Sequence, residues 1–290
     1  MPERGERLQV RKTYKLFIGG GFPRSESGRS YPVHAADGGL LARAARASRK
    51  DARDAVTAAR AALPRWSAAT AYNRGQVLYR VAEMLEGRRA QFAEEIAALE
   101  GLERGDAERA VAAAIDRWVW YAGWPDKVAQ VAGAANPVAG PFFNVTVPEP
   151  TGVVAVLAPA DSSLLGLVSV LAPVIATGNT AVVVASGQRP LPAVTLAEVL
   201  ATSDVPPGTV NLLTGQLAEL APVLAAHMDV DAIDLTGAPA AGRPGLERLA
   251  AENVKRVFLP RQDDDWGAAP GTRRLLAFVE TKTLWHPVGI

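Results

Sequence analysis

The second half of the chain alternates between short apolar runs and helical segments. The runs are nearly continuous in apolar residues, as in parallel strands covered on both faces; they are Val153–Leu157, Ala181–Val184, Val210–Leu213, Ala232–Leu235 and Arg256–Leu259. Segments typical of helices lie between them, at Leu164–Ala176, Ala193–Thr202, Leu217–Ala226 and Gly242–Ala251. Repeated β-α units predict an α/β fold, a doubly wound (Rossmann-like) parallel sheet of about five strands. Such a sheet has a nucleotide-type crevice at the carboxyl ends of its strands.

A short hairpin and an alanine-rich helix are predicted near the start of the chain. Lys15–Phe22 places an apolar pair before a run of glycines, as a short strand and hairpin turn do. Ser48 stands where an N-cap would, and helical content continues over Asp51–Leu63. We expect this helix to end at Pro64.

Two further helices are predicted from apolar spacing. The first has a buried face with a 3.6-residue period, formed by Leu78, Val81 and Leu85. The second is expected from about Arg104 to Val128, with aromatic residues at helical spacing, namely Trp118, Tyr121 and Trp124. Such spacing favours core packing over a ligand-binding box.

A bridge rich in glycine, alanine and proline, Ala132–Pro141, separates the helical half from the α/β half. The alternation in Phe143–Pro148 predicts an exposed antiparallel strand. We divide the chain into residues 1–141, the hairpin and helices that pack on the sheet; residues 142–150, the exposed strand; residues 151–262, the α/β domain; and residues 263–290, a tail.

Composition narrows the classes of function. With 290 residues, 49% of them hydrophobic, the chain can bury a full core. Its net charge of +1 favours neither nucleic acid nor an anionic membrane as a partner. An apolar signal segment is not seen at the start, and apolar stretches are interrupted before they could span a bilayer, so a cytoplasmic protein is expected. The 290 residues contain no cysteine, which excludes disulfides, thiolate metal sites and thiol catalysis among them.

Several short strings match one family. They are Lys15–Phe22, Tyr121–Lys127, Pro150–Val153, Ala172-Pro173, Gly178–Thr180 and Pro190-Leu191. As a set they resemble the aldehyde dehydrogenase family, whose chemistry depends on a cysteine. The resemblance implies NAD(P) as the family's cofactor and a small antiparallel oligomerisation sheet beside the parallel one.

Two positions that would carry the family's chemistry are substituted. The turn after the first strand, where the family has an asparagine that donates to the oxyanion intermediate, has Asp161 at that place. An ionised aspartate only accepts hydrogen bonds, and a missing donor costs on the order of 3 kcal/mol. The structural alternative is that Asp161 caps the following helix. The fifth strand leads to Pro260, where the resemblance implies a glutamate that acts as general base.

The positions on the cofactor side are changed as well. The resemblance implies charged ribose contacts at Val184 and Gly187 and a pyrophosphate-binding serine at Ala238. What remains of the family's cofactor contacts is Pro159, Ser186, Gly215, Thr236 and Gly237. We expect weak NAD(P) binding at most, with helix-end amides after Ala238 as the remaining anion donors. The alternative is that Thr236 and Gly237 only shape the turn.

Other side chains do not predict a reaction. The histidines, His34, His227 and His286, lie far apart in sequence without ligand or triad spacing, so structural or surface roles are expected. Asp263–Asp265 has the oxygens that a hard cation needs but lacks EF-hand-like spacing, so a solvated loop is expected and no metal site is predicted.

The tail also carries the resemblance. Leu275–Trp285 is similar to the family's terminal strand, which joins the Phe143–Pro148 strand in the oligomerisation sheet. In the family that sheet docks on the catalytic domain of a neighbouring subunit, and such an edge stays exposed until a partner covers it. The catalytic domain would follow the fifth strand, and the 25 residues of Trp266–Ile290 are too few for it.

We therefore expect a non-catalytic homologue, a structural or regulatory subunit in a hetero-oligomer with a full-length aldehyde dehydrogenase. The expected contacts are Phe143–Pro148 and Phe278–Trp285. Three alternatives stay open. They are a non-catalytic NAD(P)-binding or sensing module, an NAD(P)-dependent aldehyde oxidoreductase that works only with a neighbouring chain's cysteine, and a gene product without a role.

Overall fold

The computed structural model describes residues 11–261 and 264–289. Its strands are β1 (Thr13–Tyr14), β2 (Ser30–His34), β3 (Leu40–Ala45), β4 (Ala134–Asn136), β5 (Phe142–Pro150), β6 (Val153–Leu157), β7 (Thr180–Val184), β8 (Val210–Leu213), β9 (Ala232–Asp234), β10 (Arg256–Phe258) and β11 (Val279–Pro287). Its helices are α1 (Arg49–Ala68), α2 (Ala71–Glu86), α3 (Arg89–Glu100), α4 (Arg104–Ala122), α5 (Val128–Ala132), α6 (Leu165–Ala176), α7 (Leu191–Leu200), α8 (Leu217–Ala226), α9 (Arg243–Ala251) and α10 (Thr272–Ala277). Within these ranges, no helix is both long enough and apolar enough to cross a membrane.

Five parallel strands form the central sheet, in the order β10-β9-β6-β7-β8. Alternate residues of each strand face opposite layers. In β6, Val154 and Val156 pack with α2, α4, α6 and α7, whereas Val153 and Leu157 pack with α1, α8 and α9. Every residue of β6, β7 and β8 is buried, as their apolar runs predict. The doubly wound α/β fold predicted from the sequence is confirmed.

Helices α2, α3 and α4 lie on the face of the sheet opposite α1, with α4 on α6 and α3 on α7. Trp118 and Tyr121 of α4 are 0% and 2% exposed, which confirms that they pack in the core. Helix α4 ends earlier than the predicted Val128 because Gly123 and Pro125 interrupt it. Helix α3 is an element that the apolar spacing did not predict.

Helix α1 runs through Pro64 to Ala68, so the prediction that it ends at this proline is wrong. An interior proline costs about 3 kcal/mol. The turn beyond it carries Trp66, which is 1% exposed and whose indole Nε1 donates to Ile175 O at 3.0 Å. This tertiary anchor offsets the cost of the proline. At the other end Ser48 is the N-cap, as predicted, and its hydroxyl accepts from the N–H groups of residues 50 and 51.

Two small sheets flank the central one. The N-terminal sheet, in the order β1-β3-β2, was not predicted, because the alanine-rich β3 has low strand propensity. The predicted hairpin is confirmed. Ile18 and Gly21 exchange two backbone hydrogen bonds of 3.0 Å, and Phe17 pairs with Leu212 at the edge of β8. The second sheet is antiparallel, in the order β11-β5-β4, which confirms the antiparallel strand predicted at Phe143–Pro148.

Val254, just after α9, has a left-handed backbone conformation with φ of +60°. A side chain with a Cβ pays roughly 1–2 kcal/mol in this region. The Val254 side chain is 90% exposed, so packing does not offset this strain. The turn is held by two backbone hydrogen bonds, from Val254 N to Ala251 O at 3.2 Å and from Lys255 N to Ala250 O at 3.0 Å.

We expect Val254→Gly to raise the free energy of unfolding by about 0.5–1 kcal/mol, because relief of the strain exceeds the added entropy of the unfolded chain. Urea denaturation followed by circular dichroism measures this. Val254→Ala is the matched control, since it keeps the Cβ and the strain. An equal gain in both variants would contradict the explanation.

Candidate functional site

The expected crevice lies at the carboxyl ends of the central strands, where the strand order reverses between β6 and β9. At this point the two strand ends touch through their main chains. Gly237 N donates to Leu157 O at 2.8 Å, and a Cβ on Gly237 would lie 2.0 Å from Ala158 O. Only glycine allows so close an approach. Gly237 therefore has a structural role in this turn.

Asp161 lies in the turn after β6 and is exposed. Both of its carboxylate oxygens lie 3.3 Å from the indole Nε1 of Trp266. The prediction that Asp161 caps the next helix is wrong, because α6 begins four residues later at Leu165. Other side chains bind the start of α6: the Ser162 hydroxyl accepts from Gly166 N at 2.9 Å, and a Glu100 carboxylate oxygen accepts from residue 163 N at 2.7 Å.

The turns after β7 and β8 carry two of the predicted cofactor positions. Ser186 is 6% exposed, and its hydroxyl accepts from Arg189 N at 3.2 Å. Gly215 has φ of +150°, a conformation that requires glycine, and its carbonyl lies 3.0 Å from the place where a Cβ on Gly187 would be. The Arg189 guanidinium donates to the carbonyls of residues 160 and 161 at 3.1 Å. This arginine ties the turn after β7 to the turn of Asp161.

The turn after β9 leads into α9 through a short 3₁₀ turn. A 3₁₀ turn, Ala240–Gly242, comes first, and α9 begins at Arg243, whose Nε donates to Ala238 O at 3.0 Å. The helix predicted at Gly242–Ala251 is therefore confirmed to within a residue, and the 3₁₀ turn separates its first amides from Ala238.

A buried ion pair lies beneath this turn. Asp234, at the end of β9, is 0% exposed, and its Oδ2 accepts from Arg274 Nη1 at 3.0 Å. Its Oδ1 accepts from the N–H of Thr236 at 2.9 Å and also from the Thr236 hydroxyl. Burial raises the pKa of Asp234, and the positive charge of Arg274 opposes this rise. Arg274 also donates to Asp264 Oδ2 at 2.9 Å.

Residues Asp264–Arg274, which we call the covering segment, lie over the carboxyl ends of β6, β9 and β10. Trp266 contacts Asp161 after β6, and Arg274 contacts Asp234 and Thr236 at β9. Arg273 Nη2 donates to the carbonyl of residue 259 after β10 at 2.7 Å, and the guanidinium of Arg274 lies 4.6 Å from the ring of Phe258 in β10. Side chains of the chain itself thus occupy this part of the crevice.

The remaining chemistry-bearing residues of the prediction lie apart. Asp264 is not a solvated loop residue as expected, because it pairs with Arg274. Pro260 is partly buried after β10 and offers no titratable group, and Pro159 is buried beside α6. His34 Nδ1 lies 3.1 Å from the carbonyl of its own turn at Gly38. In residues 11–261 and 264–289, no three His, Asp or Glu side chains are grouped to hold a metal ion.

Sequence reasoning missed the ion pair, although a signal existed. Asp234 interrupts the apolar run Ala232–Leu235, and an aspartate at a buried strand position requires a partner. The partner itself could not be predicted from the sequence, since Arg274 is 40 residues away.

The small antiparallel sheet presents a second candidate site, the free edge of β11. β11 pairs with β5 on one side and, among the described strands, has no neighbour on the other. Large apolar side chains are exposed at one end of this sheet; they are Phe142, Phe143, Leu284, Trp285 and Val288. Two of these rings, Phe142 and Trp285, meet edge to face with centroids 5.7 Å apart.

The direction of the N–H groups on β11 follows from its pairing. Thr151 N donates to Phe278 O and Val288 N donates to Pro141 O, so the even-numbered residues of β11 bond to β5. The odd-numbered residues, Thr281, Thr283 and Trp285, therefore point their N–H and C=O groups to the free edge. These groups can pair with an added strand.

Comparison with known proteins gives the same assignment as the sequence strings. A model described as "Aldehyde dehydrogenase family" matches residues 23–260. The chain belongs to the aldehyde dehydrogenase family. The resemblance drawn from the short sequence strings is thereby confirmed.

Curated aldehyde dehydrogenase relatives match most of this chain. Cytosolic 10-formyltetrahydrofolate dehydrogenase of Mus musculus is 33% identical over 266 residues, which cover 88% of this chain and 29% of the relative. Aldehyde dehydrogenase family 2 member B4, mitochondrial, of Arabidopsis thaliana is 34% identical over 260 residues, 87% of this chain and 47% of the relative. Retinal dehydrogenase 2 of Homo sapiens is 32% identical over 268 residues, which cover 89% of this chain and 50% of the relative.

Solved structures of similar proteins share the fold. The NAD+ complex of the enzyme from Bacillus cereus superposes with a TM-score of 0.81 at 28% identity and covers 85% of this chain and 50% of that one. The HpcC protein from Thermus thermophilus superposes with a TM-score of 0.79 at 32% identity, and the match covers 85% of this chain and 47% of that one. The chain thus spans about half the length of these structures.

We expect Arg274→Met to lower the free energy of unfolding at pH 7 by about 3–5 kcal/mol, because it leaves the Asp234 carboxylate buried without its cation. The loss should shrink as the pH falls. Without Arg274 the pKa of Asp234 rises further, so protonation removes the buried charge in the variant. Urea denaturation at pH 7 and pH 4 measures both effects.

Arg273→Met is the matched control, because Arg273 is an exposed neighbour, and it should cost about 1 kcal/mol or less. The double variant Asp234→Asn/Arg274→Met should recover much of the loss at pH 7. A loss that is equal at both pH values would contradict the role of the ion pair.

Proposed function

We propose that this aldehyde dehydrogenase homologue is non-catalytic and serves as a structural or regulatory subunit of a catalytic aldehyde dehydrogenase. The observation that carries the proposal is the combination of a covered crevice with an open sheet edge. The covering segment lies over the strand ends that would meet a cofactor, whereas β11 offers unpaired backbone groups. We place such a subunit in the cytoplasm.

The residues around the crevice support a role without chemistry. Asp161 stands where the family has its oxyanion donor, and a carboxylate there would repel a developing negative charge. Pro260 replaces the general base with a residue that cannot take up a proton. The 290 residues include no cysteine to act as the family's nucleophile.

The residues present do not fit an NAD(P) dinucleotide in the manner of the family. Val184 and Gly187 lack the charges that would bind the ribose, and Ala238 lacks a hydroxyl for the pyrophosphate. At the switch point itself, Trp266 fills the space next to Asp161 and Arg274 fills the space next to Thr236. For this reason we assign no reaction step to a bound dinucleotide.

The partner surface is the free edge of β11 with the apolar end of its sheet. Outward backbone groups at Thr281, Thr283 and Trp285 would pair with a strand of the catalytic subunit. The exposed rings of Phe143 and Trp285 would lose contact with water in the same interface. Strand addition and apolar burial together make a stable contact with a partner of the same family.

We expect Thr283→Pro to reduce binding to a full-length aldehyde dehydrogenase by about tenfold or more, because it removes an outward N–H and places a ring at the edge. The bonds from β11 to β5 are kept, since residue 283 does not donate to β5. The tagged chain is used to capture its partner from the native cell, with identification by mass spectrometry and affinity measurement on the purified pair.

Thr283→Val is the matched control, because it keeps the N–H and the strand propensity. Its affinity should equal that of the natural chain. A monodisperse monomer or homodimer without affinity for any aldehyde dehydrogenase would sink the proposal, as would equal binding by both variants.

A second candidate function is a nucleotide-binding or sensing module. One observation favours it: no hydrogen bond joins the described part of the covering segment to the turns at Ser186 and Gly215. An aldehyde oxidoreductase that borrows a neighbour's cysteine would need the same crevice for its cofactor.

We expect calorimetric titration with NAD and NADP to give no saturable heat up to about 1 mM, because the covering segment lies over the ends of β6 and β9 and the family's ribose and pyrophosphate contacts are replaced. Trp266→Ala serves as the opened variant. Binding by the natural chain would favour the sensing module. Binding only by Trp266→Ala would show an intact crevice that the segment closes, and aldehyde-dependent NADH production by the purified chain would overturn the non-catalytic assignment.

A further inference from the structure

A cavity of about 280 Å³ lies between α4, α6 and the covering segment. Its charged lining residues are Arg117, Arg261, Asp264, Asp265, Arg273 and Arg274. Pockets for drug-sized ligands measure roughly 300–1,000 Å³, so this cavity is too small for a whole dinucleotide. Its size suits a small molecule or ion.

Arg117 is the central feature of the cavity. It is 8% exposed, and its described hydrogen bonds all go to neutral oxygens. Nη1 donates to Ser169 Oγ at 2.7 Å, and Nη2 donates to the carbonyls of Trp266 and Ala268 at 2.9 Å. A guanidinium has five N–H donors, so these bonds leave two without an acceptor among the described residues.

Among the described residues, no carboxylate forms an ion pair with Arg117. Asp265 attracts it through space without a hydrogen bond among the described contacts, and Arg274 repels it. Burial lowers the pKa of Arg117, which shows the cost of holding this charge away from water. Buried charges in proteins are normally paired with an opposite charge.

The described lining residues include four arginines but two carboxylates, Asp264 and Asp265. Arg274 already binds two carboxylates, Asp234 and Asp264. Among the described lining residues, three arginines, Arg117, Arg261 and Arg273, then share one carboxylate, that of Asp265. Asp265 also accepts a hydrogen bond from Gly267 N in its own turn at 2.8 Å. Asp263 lies outside the described residues.

We propose that this cavity is a binding site for a small oxyanion, a phosphate or a carboxylate, which pairs with Arg117 and Arg261. The two unassigned N–H groups of Arg117 donate to the anion from the buried wall. Arg261 closes the site from the exposed side and sets access. Charge-assisted hydrogen bonds of this kind are about twice as strong as neutral ones.

The test uses the full chain and two probes, inorganic phosphate and succinate, at constant ionic strength set with sodium chloride. The readout is the indole N–H resonance of Trp266, which lines the cavity, assigned with Trp266→Phe. We expect a saturable shift with half-saturation at about 1 mM or tighter for at least one probe. The probe that saturates tells a phosphate ligand from a carboxylate ligand.

Arg261→Gln is the decisive variant, because Arg261 is exposed and its loss leaves the core intact. It should weaken binding by about fivefold or more, the loss of one charge-assisted contact. Arg53→Gln, an exposed arginine of α1, is the matched control and should leave binding unchanged. Arg117→Met should abolish binding if circular dichroism shows that it folds.

Three results would overturn the proposal. They are a shift that grows linearly with both probes, equal affinity in Arg261→Gln and the natural chain, and the absence of any shift with both probes. Binding of an anion here does not depend on the partner proposed above, so either proposal can fail alone.

Discussion

The ion pair between Asp234 and Arg274 is the interaction on which the other features depend. A carboxylate at the end of a fully buried strand is tolerated only when a cation and hydrogen bonds satisfy it. Arg274 belongs to the covering segment, so the residue that satisfies the sheet also fixes Trp266 beside Asp161. Helix α10, which carries Arg274, leads directly into β11. The covered crevice and the position of the open edge therefore share one physical cause.

The parallel sheet could be predicted to within a residue, because its central strands are covered on both faces and their sequences are mostly apolar. Local signals failed where tertiary contacts decide the structure. Pro64 predicted the end of a helix, but the anchor at Trp66 keeps the chain helical. The strand β3 reads LLARAA, a composition with no strand preference, and becomes a strand through its pairing with β2.

The candidate site was predictable only in part. Gly215 and Gly237 lie at the strand ends as expected, since the turns require glycine there. The environment of Asp161 was not predictable, because the indole that it binds is 105 residues away and no periodicity links the two. Arg117 was hidden in the same way. It lies on α4, where the helical spacing of the aromatic residues predicts only core packing. Its carbonyl acceptors, at Trp266 and Ala268, come from a loop that is distant in sequence.

The pairing of β5 with β11 has a consequence for how the chain folds during synthesis. Thr151 and Glu280, which bond across this sheet, are 129 residues apart in sequence. A contact of such long range forms late, because closing the long loop costs conformational entropy before the contact can stabilise the chain. While the ribosome makes the intervening residues, β5 emerges with an unpaired edge beside two exposed phenylalanines, Phe142 and Phe143. The nascent chain is exposed to aggregation or chaperone capture in that interval.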